Sequence, residues 1–285
     1  MKKIFALLLS AALLVTLLAA CGGGNTTDTD TDTQEPATDA STTQVEEQEP
    51  DTGDASKDDP LNQDEIGEKE LLVVSFGTSY NDSRRETIGA IEKAMQTAFP
   101  DYSVRRAFTS QIIIDHVKDR DGVTIDNVEQ ALERAVNNGV KTLVVQPTHL
   151  MNGLEYEELT DELAKYSDSF EKIAIGDPLL TSDADFEAVM TAITDATKDA
   201  ADGKTAICFM GHGTTADSNS VYSKMQTLLT DKGFNDYYVG TVEATPSLDD
   251  VLAAVQKGNY EKVILRPLMI VAGDHANNDM AGDED

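Results

Sequence analysis

Three of the four histidines in this 285-residue chain follow short apolar runs: His149 in QPTHL, His212 in MGHGT and His275 in VAGDHANND. Glu243 in GTVEATP and Glu155 in NGLEYE stand in similar places. Imidazole and carboxylate together suit a divalent first-row metal, and a few protein ligands leave coordination positions open for exchange or catalysis. The glycines beside His212 let backbone approach closely and leave the imidazole uncovered. His149 reads equally well as packing at a cleft wall or as touching a ligand. The remaining histidine, His116 in SQIIIDHVKDR, reads as a surface or structural residue of a helix. Because the candidate ligands come from separate loops, their spacing alone is a moderate metal signal.

The elements that must position these residues alternate. ELLVVSF, YSVRRAF, TLVVQP, EKIAIG, TAICFMG, DYYVGTV and KVILRPLMIV read as strands, several of them apolar throughout, as strands covered on both faces are. RRETIGAIEKAMQTAF, VEQALERAVNNG, LEYEELTDELAKY, DFEAVMTAITDAT, VYSKMQTLLTDKG and LDDVLAAVQKG carry helical spacing. Asp126-x-x-Glu129 and Ser182-x-x-Asp185 resemble capping boxes, and Gly233 and Gly258 resemble helix stops. Strands alternating with helices imply an α/β fold of parallel sheets flanked by helices.

A weak internal repeat divides that fold in two. LVVSFGTS and ICFMGHGT align Gly77 with Gly211 and Thr78 with His212. Gln146-Pro147 and Arg266-Pro267 each lead to a glycine six residues past the proline, Gly153 or Gly273, and two residues later to Glu155 or His275. Two similar halves, 67–200 and 201–285, would present these turns to a shared cleft at the carboxyl ends of their strands, where open parallel sheets bind ligands.

The chain opens with MKKIFALLLSAALLVTLLAAC, a secretory signal whose Leu18-Ala19-Ala20-Cys21 ending resembles a lipobox, so residues 1–21 read as a lipoprotein signal peptide. Lipid on Cys21 would anchor the mature protein to the bacterial membrane outside the cytoplasm. Residues 22–66 hold fourteen acids against Lys57 alone, which reads as a disordered acidic linker. Cys208 is then without a disulfide partner and reads as a small buried apolar residue. The net charge of −30 argues against nucleic acid as a partner. Neither G-x-x-x-x-G-K-[ST] nor G-x-G-x-x-G occurs, so no nucleotide is expected, and FGTSY is not a G-x-S-x-G elbow. Association with further copies of the chain stays open.

LLVVSFGTSYNDSRRETIGAIE, RRAFTSQIIIDHVKDRDGVTIDNVEQAL, the MGHG turn, GTVEATPSLDDV and LMIVAGDHANNDMAGDED closely resemble the anaerobic sirohydrochlorin cobaltochelatases, relatives of the ferrochelatases, over 70–285. The resemblance implies a chelatase-like pair of α/β halves with pseudo-twofold symmetry. It implies ATP-independent insertion of Co²⁺ into sirohydrochlorin in anaerobic cobalamin biosynthesis, with Fe²⁺ or Ni²⁺ as other candidate metals. It makes His212 the catalytic histidine, completes the metal site with Glu243 and His275, and points Glu155 into the cleft, where His149 and Arg105 are further candidates for substrate contact. A planar tetrapyrrole must lose two inner protons before metal enters, and an imidazole is suited to accept one near neutral pH. The substrate is a polycarboxylate, so Arg84, Arg85, Arg105, Arg106 and Arg266 are candidate receivers. A tethered protein serving metal or tetrapyrrole uptake without insertion would have the same fold and site. The resemblance also implies a helix-and-strand segment beyond GDHANNDMAGDED, so the sequence reads as incomplete at Asp285.

Overall fold

The computed structural model describes residues 51–282. Seven strands form two parallel sheets. In the first, β1 (Lys69–Ser75), β2 (Ser103–Phe108), β3 (Thr142–Pro147) and β4 (Lys172–Ile175) take the order β2-β1-β3-β4. In the second, β5 (Thr205–Gly211), β6 (Tyr237–Thr241) and β7 (Lys262–Pro267) take the order β6-β5-β7. Replacing β1, β2 and β3 by β5, β6 and β7 converts one order into the other, so the repeat seen in the turns is a repeat of topology.

The central strands β1 and β5 are covered on both faces, which is why LLVVS and TAICFMG lack polar alternation. On β1, Leu72 and Val74 face a core with Ala107, Leu132, Leu143 and Leu159, while Leu71 and Val73 pack with Val104. On β5, Ile207 and Phe209 face Tyr222, Met225 and Leu229, and Ala206, Cys208 and Met210 face Val251. Cys208 is buried, as expected, and burial pushes its thiol up to about 11. Strand β7 is largely exposed, whereas its counterpart β3 is flanked by β4.

Eight helices of the described residues cover the sheets: α1 (Asn81–Glu86), α2 (Ile88–Ala98), α3 (Gln111–Asp121), α4 (Val128–Asn137), α5 (Leu154–Lys165), α6 (Asp183–Thr197), α7 (Ser220–Asp231) and α8 (Leu248–Val255). Helix α6 starts at the expected box of Ser182 with Asp185, and α8 starts at a second one, Ser247 with Asp250. At α4 the box is one residue later than expected, Asn127 with Gln130. The reason lies in Asp126, which is buried and ion-paired to Arg134 instead. The boundary between halves also moves. Phe186 and Met190 of α6 share a core with Ile207 and Phe209, so this helix packs on the second sheet, not on the first as a division after residue 200 implied. None of the helices among the described residues is long and apolar enough to cross a membrane.

The acidic stretch needs a second correction. Residues 1–50, including the signal, Cys21 and most of the expected linker, lie outside the described residues, but 51–66 is packed. Asp54 caps a 3-10 turn (Ala55–Lys57), Leu61 is buried, and Asp58 is enclosed between Arg84 and Arg106. A segment with few apolar residues is held here by one buried carboxylate with two guanidinium partners, a kind of anchor that composition does not register.

Candidate metal centre

Each strand of the second sheet ends in a turn that contributes one side chain. Strand β5 ends at Gly211, whose backbone leaves no room for a side chain: a β carbon there would lie 2.0 Å from the Tyr222 ring. His212 follows, half exposed at its side chain. Gly213 then takes φ +91°, and a β carbon on it would lie 2.8 Å from that of Ala244. The two glycines therefore draw the His212 turn against α7 on one side and against the Glu243 loop on the other. That second contact is sealed by backbone, since Val242 N–H donates to Gly211 O and Glu243 N–H to His212 O, both at 2.9 Å. After β7, the chain runs through Leu268, whose N–H donates to Met210 O at 2.7 Å, to a single π-helical turn (His275–Asp279) that opens with the third candidate, His275.

The three side chains converge. Glu243 Oε2 is 3.8 Å from His212 Nδ1 and Glu243 Oε1 is 3.5 Å from His275 Nε2. The two imidazoles stand edge to face with centroids 4.6 Å apart. One donor atom from each residue fits within 4.8 Å of the others. A small divalent ion with bonds of about 2.1 Å draws its ligands to roughly 3–4 Å of one another, a spacing that donor atoms within 4.8 Å approach. His212 Nδ1 lies 2.9 Å from Gly213 O. A carbonyl can only accept, so Nδ1 is the donor in this contact, and in the neutral ring the lone pair is the one on Nε2.

The other expected residues divide. Glu155 is exposed in the first turn of α5, and a β carbon on Gly153 would be 3.7 Å from both its carboxylate and Ser218 Oγ. Gly153 therefore lies against Ser218 of the second half, just beyond the His212 turn. His149 is half-buried, and both its ring nitrogens are enclosed without a hydrogen-bond partner among the described residues. Burial lowers its pKa, with Glu155 opposing, which favours the neutral imidazole. His116 is exposed on α3, a surface residue.

Arg105 does not serve the cleft. It is fully buried, 3.1 Å from Glu70, and donates to Ala131 O at 2.9 Å. Its neighbour Arg106 is also buried and pairs with Glu92 and Asp58. Adjacent strand residues point to opposite faces, and each of these arginines meets an acid on its own side. Arg84 is buried against Asp58. Of the five candidate cations, Arg85 and Arg266 remain outside the core; Arg85 pairs with Asp82 and Glu86, and Arg266 is exposed on β7.

Two residues near the centre had no sequence signal. Ser83 Oγ donates to Ala272 O at 2.6 Å, and Tyr80 O–H lies 3.5 Å from carbonyl or carboxylate oxygens of Asp274 and Asn278. Both bring α1 of the first half onto the His275 loop. Partners separated by some 190 residues leave no periodicity to read.

The family model described as Cobalt chelatase (CbiK) matches residues 69–285, which takes in both sheets and all three converging side chains. Among curated proteins, the chain is 37% identical over 216 residues to a sirohydrochlorin cobaltochelatase of Salmonella typhimurium strain LT2, covering 76% of this chain and 81% of that one. It is 31% identical over 216 residues to the sirohydrochlorin cobaltochelatase CbiKC of Nitratidesulfovibrio vulgaris strain Hildenborough, covering 75% of this chain and 76% of the relative.

Proposed function

From the premise that the chain belongs to the cobalt chelatase (CbiK) family, we propose that it inserts Co²⁺ into sirohydrochlorin, the reaction named for both relatives, as a step of cobalamin biosynthesis. The observation that carries this reading is the convergence of His212, Glu243 and His275 at the carboxyl ends of three neighbouring strands. Two imidazoles and one carboxylate make a competent but incomplete ligand set for Co²⁺. Their side chains are 27–55% exposed, so a bound ion keeps open positions and can be handed on.

Co²⁺ is here a substrate. Its entry into the macrocycle displaces two inner protons, and a base must take them as the metal leaves. His212 Nε2 is suited to both duties in succession, because one lone pair either binds the ion or accepts a proton. Losing the ion frees the nitrogen at the moment the proton must go, and the Nδ1–H bond to Gly213 O fixes the ring while this happens. Glu243, between the two imidazoles, can receive the second proton or pass it to solvent. Phe76, Leu154 and Leu179, all at least two-fifths exposed and following β1, β3 and β4, give apolar surface at the same end of the fold for a flat ring. Arg266 and Arg85 are the candidate partners for its carboxylates. Nothing in this sequence of steps calls for nucleotide.

The LAAC ending of residues 18–21 supports a further reading, that lipid on Cys21 holds this activity at the outer face of the bacterial membrane. Cys21→Ser should then release the protein from membranes without changing its insertion rate. The test of the activity itself is an insertion assay with sirohydrochlorin and Co²⁺, Fe²⁺ or Ni²⁺. A protein serving uptake alone would bind metal or tetrapyrrole and leave product formation at the uncatalysed rate, which would refute the proposal.

A further inference from the structure

The family match begins at residue 69, and residues 51–66 precede it, yet Leu61 and the Asp58 side chain are buried against the matched fold. Asp58, its side chain 5% exposed, accepts from Arg84 Nε at 2.5 Å and from both terminal nitrogens of Arg106 at 2.7 and 3.0 Å. Burial alone would raise its carboxyl, but the hydrogen bonds and charges of Arg106 and Arg84 outweigh that and hold it below the usual carboxylate value. Thr52 O accepts from Asp82 N at 3.0 Å, Gly53 O from Asn81 Nδ2 at 3.2 Å, and Leu61 O from Arg106 N at 3.0 Å. The segment therefore grips the start of α1 through backbone and through a charge.

From α1 the contacts continue to the metal centre. Arg84 donates to Thr78 O at 3.0 Å and to Asn81 Oδ1, fixing the turn after β1 and the helix start together. Ser83, beside it, donates to Ala272 O at 2.6 Å. Ala272 stands three residues before His275. Asn277, from the turn that His275 opens, donates to Ala272 O and to Gly273 O at 3.0 and 2.8 Å. Val271, at the start of the same loop, packs against the first-half cluster of Ile88, Phe108 and Ile114.

We propose that residues 51–66 form a strap that is part of the metal site, in which Asp58 acts as a positioning residue on His275 through Arg84, α1 and the Ser83 hydrogen bond to the His275 loop. The proposal rests on the reading of His275 as a Co²⁺ ligand. A hydrogen bond carried on a helix that a buried ion pair immobilises holds the loop in one place, and a ligand held in place loses less freedom when the ion arrives. The acidic stretch thus ends in a piece of the metal centre.

The experiment is a titration of the full chain with Co²⁺ alone, followed by the visible absorption of the bound ion, whose intensity reports its coordination geometry. Ser83→Ala should weaken binding about fivefold, the worth of one ordinary hydrogen bond, and change the spectrum, while Ser83→Thr keeps the hydroxyl and restores both. Asp58→Asn should weaken binding as well. In the double variant the two losses should not add, since each breaks the same route. Additive losses, or a Ser83→Ala protein with wild-type affinity and spectrum, overturn the proposal. If Asp58→Asn does not fold, the Ser83 pair decides alone. His275→Ala separates the two claims: unchanged Co²⁺ binding in that variant refutes the metal-site reading itself, whatever the strap does.

Discussion

Replacing Gly213 by alanine should damage both the fold and the metal centre, by amounts the structure sets. The residue has φ +91°, a region that costs an L-residue roughly 1–2 kcal/mol. The new β carbon would lie 2.8 Å from Ala244 Cβ, 2.9 Å from Ala244 N and 3.0 Å from Thr241 Cβ. Two of these belong to the loop that carries Glu243, and none is the end of a flexible side chain that could swing away. Reaching ordinary contact at 3.4 Å means a retreat of 3.4 − 2.8, about 0.6 Å, by Ala244. Overpacking of this kind costs about 1–3 kcal/mol, for a total of about 2–5 kcal/mol. In a domain of this size that lowers Tm by roughly 4–20 °C. A ligand displaced by more than about 0.5 Å is out of its productive position, so Co²⁺ affinity should fall about tenfold or more. Gly122→Ala is the control. It also has positive φ, +70°, but nothing lies within 4 Å of its β carbon, so it should cost the dihedral alone and leave Co²⁺ affinity unchanged. Thermal unfolding and Co²⁺ titration of the two variants decide the matter. A Gly213→Ala protein that melts and binds as Gly122→Ala does would show that the packing of the two loops does not hold Glu243 in place.

Three further outcomes follow from buried groups. Arg105→Ala should cost about 3–5 kcal/mol in urea unfolding, because it leaves Glu70 buried without its partner, and the surviving folded protein should keep its KM for sirohydrochlorin; a raised KM with normal stability would return Arg105 to the cleft. Burial raises Glu70 to about 7, with Arg105 only partly offsetting it. The folded state then holds a proton that the unfolded state has released, so wild type should lose stability relative to Glu70→Gln as pH rises from about 4.5 to about 7 and not above; parallel profiles across that window would contradict this. The Cys208 thiol, buried and raised to about 11, should resist alkylation in the native protein at pH 8 and react in urea, as read by mass spectrometry of its peptide; rapid native labelling would show that β5 opens.

The parts of the fold that local pattern governs were legible in the sequence. The run LLVVS announces a strand covered on both faces, and the glycine turns at 77 and 211 announce two similar halves. His212 stood out through its glycines, although their reason is more particular than an open approach: Tyr222 and Ala244 occupy the space where their side chains would be. What escaped was set by partners far along the chain. YSVRRAF shows two adjacent arginines, but only the fold reveals that Glu70 waits on one face and Glu92 with Asp58 on the other. Residues 51–66 look like the rest of an acidic tether because burial of a single charged residue leaves no mark on composition. Helix α6 carries the same amphipathic spacing whichever sheet it covers, so its spacing could not assign it to the second.

The central claim is that His212, Glu243 and His275 bind Co²⁺ and deliver it into the tetrapyrrole. The most direct test is the rate of Co²⁺ insertion into sirohydrochlorin by wild type and by His212→Ala, at saturating metal and with folding verified by thermal unfolding. The account predicts that His212→Ala melts as wild type does and inserts Co²⁺ at least about a hundredfold more slowly, the range for losing a positioned acid–base group. A folded His212→Ala protein that inserts Co²⁺ at the wild-type rate would contradict it.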